Sequence, residues 1–289
     1  MLLFLLLPAL VGLQSGGDVG GNARDAPAEA PRRASARQAS GQQASGVPRM
    51  ASAEAQLAHA RRLKREMSAC SEGELAARRA LTVEAYRAVR LFHPDARGPC
   101  VEAAFRAGEI LRSAGDEAGA LAEFRWAARE GEGEFRARAR LEIGHLHRRA
   151  GRFQEALQAY LDVAGDAAAS GDRREDAWLW AGASWRELGH VEDARSAWSR
   201  VAEHGTDPLA RITAFDELAL SYLAEGELEG AAGMLDRCLR ALTASALEES
   251  ERGERVRNAL LRMRVVDELQ RAIARRHEGG TSQGTPRKS

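Results

Sequence analysis

The chain has 289 residues, of which 44% are hydrophobic and 5% aromatic, and its 42 Lys+Arg balance 42 Asp+Glu. That apolar share excludes wholesale disorder and is enough for a packed core. The zero balance divides into +2 over residues 1–49, −6 over 50–270 and +4 over 271–289, which is not the concentrated basic face of a nucleic-acid binder.

Residues 2–13 form an apolar run of twelve, the length of the hydrophobic part of an export signal and too short to span a bilayer. No basic residue precedes the run, and small residues near Gly17 or Ala23 suit cleavage. Residues 1–17 are therefore expected to act as a signal-like segment, and no Cys follows to support a lipoprotein anchor. Residues 18–52 are rich in Ala, Gly, Ser and Arg, so they bury too little to offset their ordering entropy and are expected to be a disordered tether. Cys70, Cys100 and Cys238 share no short spacing, so neither a zinc site nor a redox pair is indicated. In an exported chain Cys70 and Cys100 could be bridged, but the preferred reading is three small apolar residues on helix faces.

Beyond residue 52 the chain repeats itself. Gly115, Gly151, Gly189 and Gly226 each end a helical pattern, at spacings of 36, 38 and 37. Five residues after each stands an alanine: Ala120, Ala156, Ala194 and Ala231. Four further on comes a bulky residue: Phe124, Tyr160, Trp198 or Leu235. Seven before each glycine is a small residue: Gly108, Gly144, Gly182 or Ala219. Each copy thus reads as two amphipathic helices joined by a tight turn, with small residues that let the backbones approach. Four clear copies fill residues 100–244, and Tyr86 and Val89 place a degenerate copy at 53–94, so the array is expected over 53–246. Val256, Leu260, Val266, Leu269 and Ile273 recur at helical spacing, which predicts a capping helix over 247–277, followed by a disordered basic tail at 278–289.

The pattern resembles the tetratricopeptide repeat, best in the copy from Glu175 to Pro208 with Trp178, Gly182, Trp185, Ala194 and Trp198 in register. The departures are His147, Ala219 and Leu235, and a period two to four residues above the usual ~34. The resemblance implies an all-α fold, an α-solenoid of stacked antiparallel helix pairs in a tetratricopeptide-like superhelix with a C-terminal capping helix. It further implies a non-catalytic protein–protein interaction scaffold in the bacterial periplasm or cell envelope, or in the cytoplasm if residues 1–17 do not act as a signal. Carried onto this chain, the family's concave groove falls on Arg106, Glu109, Arg112, Arg138, His145, Arg148, Arg149, Trp180 and Arg186. The arginines there suit a peptide or helix of another protein, an acidic one in particular. However, only Lys64 and Lys288 break an otherwise arginine-only basic set, so a solvated arginine face of compositional origin is the slightly preferred reading.

No phosphate loop, nucleophile elbow, zinc-helix motif or dinucleotide fingerprint occurs. The chain is therefore read as no enzyme, with no cofactor, metal, small-molecule substrate or nucleic acid, and with membrane contact only through an uncleaved N-terminus. One alternative rests on His93-Pro94-Asp95 after Ala-Tyr-Arg-Ala-Val-Arg, which resembles the loop through which J-domain co-chaperones stimulate a chaperone ATPase. The opening Tyr-x-x-Leu-Gly helix of that family is missing here, and a Pro-Asp pair also suits an ordinary inter-repeat turn.

Overall fold

The computed structural model describes residues 46–281. The expected signal segment, residues 18–45 of the expected tether and residues 282–289 of the expected tail lie outside the described residues. Among the described residues there are twelve α-helices and no strand. The first ten form five antiparallel pairs: α1 (Ala53–Glu66) with α2 (Glu72–Phe92), α3 (Arg97–Ser113) with α4 (Glu117–Glu130), α5 (Gly133–Arg149) with α6 (Phe153–Ala164), α7 (Gly171–Glu187) with α8 (Val191–His204), and α9 (Pro208–Ala224) with α10 (Leu228–Ala246). Then come α11 (Glu251–Leu261) and α12 (Arg264–Thr281). The chain is an α-solenoid, each hairpin packing on the next.

The turn inside each of the four clear hairpins has one cause. Gly115, Gly151, Gly189 and Gly226 take φ of 82°, 71°, 80° and 80°, the left-handed region that side chains disfavour. The residue after each glycine donates its amide back to the first helix: Asp116 to Leu111, Arg152 to His147, His190 to Trp185 and Glu227 to Tyr222, at 2.9–3.0 Å. These bonds satisfy carbonyls that the ending helix leaves orphaned and reverse the chain within three residues.

The core is a row of ring-on-glycine contacts. A Cβ added at Gly108 would lie 2.7 Å from the Phe124 ring, at Gly144 2.5 Å from Tyr160, and at Gly182 2.3 Å from Trp198. All three aromatic side chains are fully buried. Each of these three first helices therefore has a slot one hydrogen atom wide where the ring of its second helix packs on backbone. In the fourth clear hairpin the slot residue is Ala219, and the branched Leu235 stands where the ring would be, in the same core cluster. The two departures compensate: a smaller partner leaves room for a methyl group.

Two stretches differ from expectation. Residues 46–52 of the expected disordered tether are fixed to the first hairpin, where Val47 is buried and the buried Gln56 amide binds Pro48 O at 3.1 Å and receives Met50 N at 2.8 Å. Residues 247–277 form two helices, not one, because the chain breaks at Arg262–Met263. There the Met263 side chain is buried beside Cys238, and Val265 N donates to Asp216 Oδ1 of α9 at 2.9 Å. A continuous helix would have spent that amide internally and could not have docked its end on α9. The second of these helices also continues through Thr281, so residues 278–281 of the expected tail are helical.

Candidate functional site: the first-helix face

The backbones of successive first helices α1, α3, α5, α7 and α9 approach one another, while successive second helices stand farther apart and meet through long side chains such as Arg87 and Arg90 on Glu123. The first-helix side is therefore the inner side of the stack. Its charged residues are paired between hairpins more than within them. Arg61 of α1 meets Glu102 of α3, and Lys64 of α1 meets Glu109 of α3 at 3.4 Å. Glu109 also holds Arg106 at 2.9 Å and lies 4.0 Å from Arg138 of α5, and Arg112 of α3 pairs with Glu142 of α5. Further along, Arg186 of α7 pairs with Glu217 of α9, which also takes Arg264 of α12 at 2.6 Å. These half-exposed pairs contribute modestly to stability one by one, but together they form a ladder joining neighbouring hairpins.

The centre of the face is aromatic. Trp180 is half-buried, with the His145 ring edge-on at 5.1 Å and the Arg148 guanidinium 4.5 Å above the indole. His145 Nδ1 and the Tyr160 hydroxyl are hydrogen-bonded at 2.8 Å. Arg149, next to this group, is exposed. Arg138 caps Phe105 at 4.5 Å. The structure thus brings His145, Arg148 and Trp180 into one group and ties Arg106, Glu109 and Arg138 into another, while Arg112 and Arg186 are each held by a carboxylate of the next first helix.

Burial, reinforced by Arg148, Arg149 and Arg112, lowers the His145 pKa from 6.5 to about 4. The unfolded ring takes up its proton below about 6.5 and the folded one only below about 4, so across that interval the unfolded state binds more protons and stability falls as acid is added. His145→Gln keeps an acceptor for Tyr160 and removes the titration. We expect the stability difference between wild type and this variant to shift by about 2 kcal/mol between pH 7 and pH 5, read from urea unfolding at both values. An equal acid response in the two proteins would contradict a buried neutral His145. The slope from His147, whose pKa burial also lowers, is common to both.

Several features of this face were not picked out from the sequence. Arg61 and Lys64 belong to the degenerate first hairpin, which lacks the glycine that sets the register, and Arg264 reaches the face from beyond the repeats. A groove of about 520 Å³ opens at the N-terminal ends of α1, α3 and α5, where Leu57, Pro99, Val101 and Phe135 make an apolar floor. Among the described residues no group of three or more His, Cys, Asp or Glu side chains is placed to hold a metal ion, and all three cysteines are free. His93-Pro94-Asp95 is the turn between the first and second hairpins: the His93 amide caps α2 on Val89 O at 2.9 Å and its carbonyl receives Ala96 N at 3.1 Å. Among the described residues no helix is long and apolar enough to cross a membrane.

No family model matches the chain, and no curated protein matches it. Solved structures do. The MamA protein is 15% identical, with 68% of this chain and 96% of that one covered and a TM-score of 0.50. A Podosopora anserina chain of nearly identical TPR-like repeats is 15% identical over 69% of this chain and 100% of that one, with a TM-score of 0.47. PilW, described as a widely conserved type IV pilus biogenesis factor, is 16% identical over 75% of this chain and 90% of that one, with a TM-score of 0.46. At such identities the likeness is one of fold. The glycine turns, the ring-on-glycine core and the stacking of consecutive hairpins themselves give the chain a tetratricopeptide-like α-solenoid fold.

Proposed function

We propose that the chain is a non-catalytic adaptor that holds an extended peptide or a helix of another protein against the first-helix face, with acidic groups of the partner meeting its arginines. The observation that carries this reading is the grouping of Trp180, His145 and Arg148 at the middle of a face that no other described element covers. A half-buried indole flanked by a guanidinium offers an anchor for an apolar side chain with an adjacent acid. The apolar groove beside Phe135 offers a second anchor toward the N-terminal end. Stacked hairpins bury their core only against neighbours, which leaves such a face free along its length. We place the protein in a bacterial cell envelope on the strength of the apolar run at residues 2–13.

The test uses the full chain made in a bacterial host, fractionated, and cross-linked to its neighbours. The expected result is recovery outside the cytoplasm with a partner that is lost from Arg148→Glu/Trp180→Ala and retained by Arg240→Gln on the far side of the array. Equal capture by both variants would remove the inner face as the binding surface, and a purely cytoplasmic chain would remove the envelope assignment.

A further inference from the structure

A second feature of the inner face lies at its N-terminal end. Arg61, Lys64, Arg65, Tyr86, Glu102 and Arg106 line a surface cavity of about 310 Å³ between α1, α2 and α3. Four cations face it. Glu102 takes Arg61, while Glu109 takes Lys64 and Arg106, so two carboxylates offset four positive charges. Arg65 makes no ion pair among the described residues, which leaves a surplus of about two charges at the mouth.

The second observation is independent of charge. Tyr86 occupies the bulky column of the first hairpin and is 1% exposed. Its counterparts are satisfied: the Tyr160 hydroxyl meets His145 Nδ1 at 2.8 Å, and Trp198 Nε1 donates to Leu179 O at 3.2 Å. The Tyr86 hydroxyl has no hydrogen-bond partner among the described residues. A buried donor without an acceptor is a standing cost, and such atoms in folded proteins call for a reason. Burial also raises this hydroxyl to about 12, so it keeps its proton and remains a donor.

We propose that this cavity binds a phosphate group as its dianion, with Arg61, Lys64 and Arg106 surrounding its oxygens and the Tyr86 hydroxyl donating to one of them. The charge surplus favours a phosphate monoester or inorganic phosphate, at about −1.5 to −2, over a single carboxylate. Guanidinium pairs match its oxygens with forked hydrogen bonds. The group comes either from the free ion or from an ester carried by a larger molecule. The site shares Arg106 and Glu109 with the partner-binding face, yet its probe is a small anion, so it stands or falls apart from the capture experiment.

The experiment is calorimetric titration of the full chain with inorganic phosphate and with phenyl phosphate at matched ionic strength, alongside thermal melts with and without each anion. Wild type is expected to bind with a saturable single-site heat. Tyr86→Phe and Arg106→Gln are each expected to weaken binding about tenfold or more. In phosphate-free buffer Tyr86→Phe is expected to melt at or above the wild-type temperature, since it removes the stranded donor, and to gain less on adding phosphate. Tighter binding of inorganic phosphate would assign the free ion, and equal or tighter binding of phenyl phosphate would assign an esterified group. No saturable heat with either anion overturns the proposal, as does a folded Tyr86→Phe protein that binds as tightly as wild type.

Discussion

Replacing Gly182 by alanine is expected to destabilise the array by about 1–3 kcal/mol, against the direction of helix propensity. Alanine is ordinarily favoured over glycine inside a helix by about 1 kcal/mol. Here the new methyl carbon would lie 2.3 Å from Trp198 Nε1 and 2.7 Å from two indole carbons. Trp198 is fully buried and its N–H is engaged with Leu179 O at 3.2 Å, so the ring can yield only by losing that bond and pushing on its neighbours. Gly144→Ala against Tyr160 and Gly108→Ala against Phe124 are expected to act in the same direction. The measurement is urea unfolding followed by circular dichroism. A partner substitution makes the argument specific: in a Trp198→Leu background, which imitates the Ala219–Leu235 pair, Gly182→Ala is expected to lose most of its cost. If Gly182→Ala stabilised the wild-type chain, the ring-on-backbone slot would not be what spaces the hairpins.

Asp216→Ala is expected to detach the C-terminal cap at a cost of about 2–3 kcal/mol. Asp216 is 6% exposed on α9 and receives two bonds from the start of α12, Val265 N and Arg264 Nε, both at 2.9 Å. Without its carboxylate the buried Val265 N–H is stranded and α12 loses the anion at its positive end. Amide exchange should then speed up across α11 and α12, and afterwards in the newly exposed α9, while α3 to α6 stay protected. Asp216→Asn keeps an acceptor for Val265 N and is expected to cost roughly half as much. Unchanged exchange in α11 and α12 for Asp216→Ala would show that Met263, Val256 and Val265 hold the cap by apolar contact alone.

The hairpin fold was legible because it is written in short-range spacings. A glycine, an alanine five residues on and a ring four beyond that name one turn and one packing slot, and both recur whole in the structure. Ala219 and Leu235 stood out in the sequence only as separate departures, and it is their packing in one cluster that makes them a pair. What could not be read depends on residues far apart in the chain. Asp216 reaches Val265 across 49 positions and Arg264 across 48, and no local pattern marks a helix break at Met263 that serves a contact so distant. The inner-face residues posed the same difficulty. They were expected from the resemblance to the tetratricopeptide repeat, but which carboxylate holds Arg112 or Arg186 is decided by the stacking of neighbours. Arg61 and Lys64 escaped notice as face residues because their hairpin joins α1 to α2 through a short 3-10 turn at Met67–Ala69 instead of the glycine reversal.

Glu109 holds a lysine from the hairpin before it, an arginine of its own helix, and stands near a third cation from the hairpin after it. One carboxylate thus adjudicates among three modules of the stack. An anion that drew Lys64 and Arg106 to itself would leave Glu109 to Arg138 of the following hairpin, so occupancy at the N-terminal end would trade contacts between α1 and α3 for one between α3 and α5.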